Sequence, residues 1–403
     1  MVNLPQTPNN DMPAIATRQT FLPFYKPWID DRDIDEVVDT LRSGWLGMGP
    51  KTLRFEEEFA RSLGVRHAVA VSSCTAGLEL ALDAIGIQPG DEVITSVYTF
   101  PSTAAVILHR HGRPVLVDIR PDTLTMDPAE VERKITERTR ALVPVHLAGA
   151  PCAMDQLLEL AGRHHLVVIE DAAYALRAQY KGRLVGTLGD LTVFSFAPTE
   201  AITTGEGGMI TTEHDDYADR LRTRRLHGMG ENVWQRYAPE GAWDYEVSYP
   251  GYKSHMTDLN AALGLQQLQK AEMLHAVRSY YAGLYHLGLS DLAELVLPEP
   301  SPECQHSWQF YIVQLRLERL AIGRDTFIEA LLHENIGASV HYIPLHLHPY
   351  YRDTFGYQPE DFPNALQAYR RVISLPIYPK MTEADVWDVI GAVRRVVERH
   401  RVR

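Results

Sequence analysis

The sequence predicts an α/β protein: a large domain built on a mostly parallel seven-stranded sheet, followed by a smaller C-terminal α/β domain. Three observations carry this expectation. Short, continuous apolar runs alternate with helical patterns from His67 to Thr212, as in a sheet covered by helices on both faces. Pro298, Pro300 and Pro302 interrupt the chain after a long helical stretch, which places a domain boundary near 287–302. Residues 194–208 run from an apolar strand through a polar turn to paired glycines before a second strand. Open α/β folds bind their ligands beyond such strand ends.

In chain order, residues 1–18 are polar, with Pro and Asn, and lack the apolar core of a signal peptide. Residues 1–20 therefore read as a loose N-terminal arm, 21–290 as the large domain and 291–403 as the small one. Ile34, Val37, Val38 and Leu41 share one helical face. The segment from Gly44 to Pro50 is too Gly-rich for a helix and precedes an amphipathic helix over 52–63. Strands are expected at 67–72, 92–96, 114–118, 141–146, 166–170, 191–196 and 209–212. Helices are expected at 75–84, 102–109, 127–135, 153–164 and 215–227. A loop over 228–251 carries Trp234, Tyr237, Trp243, Tyr245 and Tyr249, and is too long for a plain connector. A helix over 257–287 leads to the boundary. The small domain has expected strands at 309–317 and 338–342 and a helix at 324–332. Thr382-Glu-Ala-Asp outlines a capping box for the last helix, whose Val386, Val389, Ile390, Val393 and Val397 face inward.

The chain has 403 residues, 45% apolar and 23% charged, an ordinary soluble composition with ample core. Its net charge of −13 argues against nucleic-acid and anionic-membrane binding. Three cysteines, Cys74, Cys152 and Cys304, have no zinc spacing and suggest a reducing, cytoplasmic setting. His341, His346 and His348 fit no common zinc pattern, so no metal is expected.

Some residues suggest chemistry directly. Ser73-Cys-Thr-Ala stands where a strand passes into a helix. The first helical amides point outward there and suit a phosphate, although an ordinary N-cap reads the same way. Asp171 ends a buried strand, as a turn cap or as a functional carboxylate. Phe100 suits either ring stacking or core packing.

Taken together, Phe194-Ser-Phe through Gly-Glu-Gly-Gly208, the run Gly251-Tyr-Lys-Ser-His-Met-Thr-Asp and Ser374-Leu-Pro-Ile-Tyr-Pro resemble the DegT/StrS-type sugar aminotransferases. The resemblance spans about 22–397. It implies the type I aminotransferase fold, whose large domain suits the seven strands, and pyridoxal phosphate as cofactor. It assigns Thr75, Ala76 and Ser195 to the phosphate, Asp171 to the pyridinium nitrogen, which makes the ring an electron sink, and Phe100 to stacking on the ring. It also implies a keto sugar, nucleotide sugar or cyclitol substrate. A homodimer is implied too, in which the residue at position 253 reaches the neighbour's phosphate.

The site departs from that pattern. The family's Schiff-base lysine is Glu200 here. Tyr174 stands in place of Gln or His, Arg177 in place of Gly, Lys253 of Asn, Ser254 of Tyr and His255 of Arg. Arg177 adds bulk and charge to a formerly close-packed backbone. Lys253 is expected to pair with Glu200 across the dimer. A carboxylate forms no imine, so ordinary transamination is not expected. Three readings remain. In the first, the enzyme binds pyridoxal or pyridoxamine phosphate non-covalently and uses Glu200 as acid and base. The second is a silent homologue partnering a lysine-bearing aminotransferase. The third is cofactor-independent chemistry by Glu200, Lys253, His255 and Tyr174. The first is preferred, because Asp171, Thr75 and Ser195 are kept. The clustering of departures in the site favours natural divergence.

Overall fold

A computed structural model describes residues 17–230 and 244–402. Most of the expected N-terminal arm, and Trp234, Tyr237 and Trp243 of the aromatic loop, lie outside the described residues. Helices α1 (Asp31–Ser43) and α2 (Pro50–Leu63) open the fold. There follow β1 (His67–Val71), α3 (Cys74–Ala84), β2 (Glu92–Ser96), α4 (Pro101–His109), β3 (Arg113–Val117), α5 (Pro128–Lys134), β4 (Thr139–Val143), α6 (Met154–His164) and β5 (Val167–Asp171). Short β6 (Gln179–Tyr180) and β7 (Arg183–Leu184) precede β8 (Leu191–Ser195), β9 (Gly208–Thr212), α7 (Asp215–Arg224) and α8 (Asp258–Leu289). The C-terminal part holds β10 (Leu295–Val296), β11 (Cys304–Gln305), β12 (Tyr311–Leu315), α9 (Arg324–His333), α10 (Pro349–Phe355), α11 (Pro363–Arg371), β13 (Val372–Leu375) and α12 (Glu383–His400).

The large sheet has seven strands in the order β1-β9-β8-β5-β4-β2-β3. Only β9 runs against its neighbours. The strands read as unbroken apolar runs because helices cover both faces: one core lies under α2 and α6, the other under α3 and α4. The C-terminal part builds a three-stranded sheet, β10-β12-β13. Its core takes in Tyr281, Tyr285 and Leu289 of α8 and the inward face of α12. The 32-residue α8 therefore spans both cores. Its N-cap, Thr257, accepts the amide of Asn260 at 3.2 Å. Among the described residues, no helix is long and apolar enough to cross a membrane.

The face that Ile34, Val37, Val38 and Leu41 share is not fully buried: Ile34 and Leu41 are each 52% exposed, and Val37 and Val38 are half-buried. Polar bonds decide the orientation instead: buried Asp33 accepts from Gln267 at 3.1 Å and pairs with Lys270, both on α8. Two sequence expectations are corrected. Residues 338–342 form no strand and pair only through a single bridge, Ser339 to Ser374. That segment turns across the front of the large sheet, which carries His341 and Tyr342 to the cavity described below. Helix α7 stops at Arg224, short of 227, because His227 and Gly228 both adopt left-handed backbone, at φ 58° and 75°.

Candidate active site

The ends of β5 and β8, the first turn of α3 and the turn between β8 and β9 enclose a cavity, open on one side. Phe310, Ser339, His341 and Tyr342 close it from the C-terminal part. Parallel strands with helices behind them leave such a crevice at their C-terminal edge.

The rear wall is the start of α3. Ser73, Cys74 and Thr75 line the cavity. Ser73 caps the helix, its Oγ accepting the Ala76 amide at 3.1 Å. The first-turn amides have no intrahelical acceptor, and the helix dipole adds positive charge, so this end suits an anion. Gly208 lets β9 press against the turn. A Cβ there would stand 2.8 Å from the Cys74 nitrogen and 2.8 Å from the Phe194 carbonyl oxygen. Ser195 lines the cavity beside this wall, and its Oγ accepts the Ala197 amide at 3.3 Å.

Asp171 ends β5 and faces the cavity. Its Oδ2 accepts the Thr103 hydroxyl at 2.7 Å and its Oδ1 the Ala173 amide at 3.2 Å. Burial pushes its pKa up; these two bonds and the nearby His146 hold it down.

Glu200 sits in the turn after β8, 6% exposed, and also faces the cavity. Four bonds fix the backbone around it. The Glu200 amide donates to Ala197 O at 3.1 Å, and the Tyr25 hydroxyl donates to Glu200 O at 2.6 Å. Gln309 donates to the Thr199 carbonyl, and Arg278 to the Ala201 carbonyl at 3.4 Å. The side chain is less settled, because Oε2 is buried without a hydrogen-bond partner. Burial pushes the carboxyl well above its ordinary pKa. Ser195 and Arg278 pull it down, while Asp171 and Glu206 push it further up. Arg278 is fully buried behind the turn.

Tyr174 hydrogen-bonds through its hydroxyl to Tyr342, joining the two walls. Burial raises both phenols. Phe100, 53% exposed, stands at the rim with its ring 6.1 Å from that of Tyr342.

Six of the expected site residues therefore meet at one cavity: Thr75, Phe100, Asp171, Tyr174, Ser195 and Glu200. Ala76 lies one position behind the lining, and its amide is already held by Ser73. Lys253 and His255 do not reach the cavity of their own chain. Backbone bridges from Leu226 to Lys253 and from Val71 to His255 hold this segment along the outer edge of β1. Lys253 is exposed there, and His255 is half-buried, its pKa lowered by burial and by Arg225. Arg177 does not crowd the cavity. It accepts left-handed backbone, φ 69°, and turns away to pair with Glu272. The three histidines diverge as well. His341 lines the cavity, His346 is buried against Phe362, and among the described residues no cluster suits a metal.

Sequence reasoning missed Tyr25, Arg278, Glu206 and Tyr342. Arg278 left a trace. It falls on the face of Ala271, Leu274, Tyr281 and Tyr285, where a charge among apolar residues signals a buried role.

The sequence pattern of the DegT/DnrJ/EryC1/StrS aminotransferase family matches residues 27–394. A protein of Methanocaldococcus jannaschii, itself uncharacterised, is 50% identical over 384 residues, covering 95% of this chain and 100% of its own length. The spore coat polysaccharide biosynthesis protein SpsC of Bacillus subtilis is 49% identical over 385 residues, covering 95% of this chain and 99% of its own. A Streptococcus pneumoniae protein assigned as a sugar aminotransferase is similar in fold. Its pyridoxal phosphate form has TM-score 0.88 at 32% identity, covering 94% of this chain and 99% of the other. Its pyridoxamine phosphate form also has TM-score 0.88, at 31% identity, covering 94% and 98%.

Proposed function

The chain belongs to the DegT/DnrJ/EryC1/StrS aminotransferase family, and from that premise we propose that it acts on a keto sugar, nucleotide sugar or cyclitol in a biosynthetic pathway, holding pyridoxal or pyridoxamine phosphate without a covalent bond. One observation carries the reading. Glu200 is a buried carboxyl in the wall of a cavity that also holds Asp171 and a helix N-terminus. The residues fit the cofactor in outline, without the tether and without the Ala76 amide, which Ser73 holds. The free first-turn amides of α3, Thr75 and Ser195 would hold the phosphate, Asp171 would take the ring nitrogen, and Phe100, at the rim, would stack on the ring. No lysine lines the cavity among the described residues.

When bound, the ring accepts electron density from a bond broken beside its C4′ carbon. Asp171 keeps the ring nitrogen protonated. Glu200, its pKa raised by burial, would take a proton from the reacting carbon and return it. Tyr174 and Tyr342 close the front and exclude water. Lys253 of the partner subunit completes the phosphate site of a homodimer. Sugar chemistry rests on the family and on the polysaccharide role of SpsC.

The test is a titration with each cofactor form, followed by turnover of nucleotide-linked keto sugars. Saturable binding is expected, with turnover lost in Glu200→Ala. Absence of any saturable signal rejects the cofactor, and full activity in Glu200→Ala rejects Glu200 as the proton carrier. The lack of a lining lysine favours a second reading, a silent homologue that assembles with a lysine-bearing aminotransferase. Stable co-purification of such a pair, with no turnover by this chain alone, supports it.

A further inference from the structure

Residues 18–25 form no helix or strand, yet they are pinned along their length. Arg18 donates to Asp385 and, at 2.8 Å, to Asp388, both on α12. The Leu22 amide donates to the Asn335 carbonyl at 2.8 Å, and the Leu22 carbonyl accepts the Gly337 amide at 2.9 Å. Gly337 permits this approach, since a Cβ there would stand 2.8 Å from the Phe24 nitrogen. The Phe24 ring lines the cavity, 6.0 Å from the ring of Phe310 and 5.5 Å from that of His341. All of these partners belong to the C-terminal part. Tyr25 is the crossing point. Its ring lies 5.7 Å from that of Tyr378, while its hydroxyl donates to the Glu200 carbonyl at 2.6 Å. Three side chains hold the carbonyls of residues 199–201 from outside the turn: Gln309 at Thr199, Tyr25 at Glu200 and, at a long 3.4 Å, Arg278 at Ala201.

We propose that residues 18–25 are a strap that makes the setting of the Glu200 turn depend on the seating of the C-terminal part, with Tyr25 as the positioning residue at its end. A carbonyl bonded to one hydroxyl is only as fixed as that hydroxyl. The Tyr25 ring has two side-chain torsions, so the place of its hydroxyl follows its backbone closely. That backbone follows Leu22 and Phe24, which are bonded to and stacked on the C-terminal part. Chains of packed rings and hydrogen bonds carry coupling between separate elements in this way. Arg18 is the outermost anchor, and the partners of its ion pairs both lie on α12. The end of the segment that reads as a loose arm in the sequence is thus tied to the last helix of the chain. The strap acts on the backbone of the turn, so it holds for a cofactor-binding enzyme and for a silent homologue alike.

The test is amide hydrogen exchange on the full-length, ligand-free protein, followed by mass spectrometry over residues 197–204. Local opening sets this rate, so each lost tie is read directly. Tyr25→Phe is expected to speed exchange there by about fivefold, the worth of one hydrogen bond. Arg18→Ala is expected to speed the same stretch by about twofold to threefold, the worth of a half-buried ion pair, although its charge partners lie on α12. Arg18→Lys keeps the charge and is expected to stay near the parent rate. Once Tyr25→Phe has cut the link, adding Arg18→Ala is expected to change nothing further at the turn. Exchange in α3 and β5 is the reference and is expected to stay at the parent rate throughout. Arg18→Ala that leaves 197–204 unchanged overturns the inference. So does a rise shared equally by α3 and β5, which reports only lost stability, or full additivity of the two substitutions. An unchanged turn in Tyr25→Phe overturns it as well.

Discussion

Asp171 and Glu200 are both buried carboxyls on the same cavity, yet the chain completes only one of them. Asp171 is anchored by the end of β5, and its two oxygens are satisfied by Thr103 and Ala173. Glu200 is anchored just as firmly through its backbone, by Tyr25 and the Ala197 turn, but its Oε2 is left open. Burial raises both pKa values. The difference teaches that a fixed backbone and a finished side chain are separate things. The fold supplies Asp171 as a ready support, whereas Glu200 keeps one buried oxygen without a partner.

The most severe way to break the comparison is Asp171→Ala. It strips the Thr103 hydroxyl and the Ala173 amide of their acceptor and removes the charge proposed to face the ring nitrogen. Losing one partner of a buried charged pair costs about 3–5 kcal/mol. Affinity for pyridoxamine phosphate should fall by about 100-fold or more, read by calorimetry. A loss under about threefold means that Asp171 does not face the ring, and the contrast between the two carboxyls loses its functional meaning.

Gly208→Ala tests where the two walls meet. The added Cβ presses on the Cys74 nitrogen, the Phe194 oxygen and the Ser73 carbonyl carbon, all backbone atoms at 2.8 Å. None can rotate away. Denaturant unfolding should show a loss of about 1–3 kcal/mol, together with weaker phosphate binding. An unchanged midpoint would show that this packing is slack.

Glu200→Gln sharpens the contrast through pH. In the folded, ligand-free protein Glu200 holds its proton well above the ordinary range. Below the unfolded pKa, about 4.3, the group is neutral in both states and costs nothing. As pH rises above that value the unfolded chain ionises first, and stability drains away until the folded carboxyl also ionises. Gln cannot ionise. The melting temperature of Glu200→Gln relative to the parent should therefore increase from pH 4 to pH 8, with little difference at pH 4. A difference that is flat across this range shows that the folded carboxyl has an ordinary pKa.

This contrast also explains what was legible in the sequence. The sheet was readable because a strand buried on both faces must be apolar throughout, as in β1, β4 and β8. Asp171 and Ser73 to Thr75 were readable because strand ends and helix starts have fixed chemistry. The resemblance then gave Glu200 its meaning, since a lone Glu in a polar turn says little. What escaped was set by long-range packing. Nothing local in α1 reveals that Asp33 would win the inward face from Ile34. Nothing near Glu200 announces Arg278, which arrives from a helix 78 residues on. Tyr342 fell in a stretch expected to be a strand, 338–342, which gave way to the turn that carries it to Tyr174.

Lys253 gives the smallest expected effect on the isolated chain and the finest discrimination. Its side chain is exposed, and its segment is held through backbone bridges that a substitution leaves in place. Lys253→Ala should change unfolding free energy by no more than about 0.5 kcal/mol. In the proposed homodimer the same side chain enters the partner's cavity, where it supplies positive charge that the lining residues lack. Phosphate affinity should then drop by about threefold to tenfold, the worth of a partly screened ion pair. The drop should appear with pyridoxamine phosphate and pyridoxine phosphate alike, since the two share the phosphate and differ only at the carbon facing Glu200. An equal loss for both ligands, at unchanged stability, separates the phosphate end of the site from the Glu200 end. No loss for either confines Lys253 to the surface and leaves the α3 N-terminus to hold the anion alone.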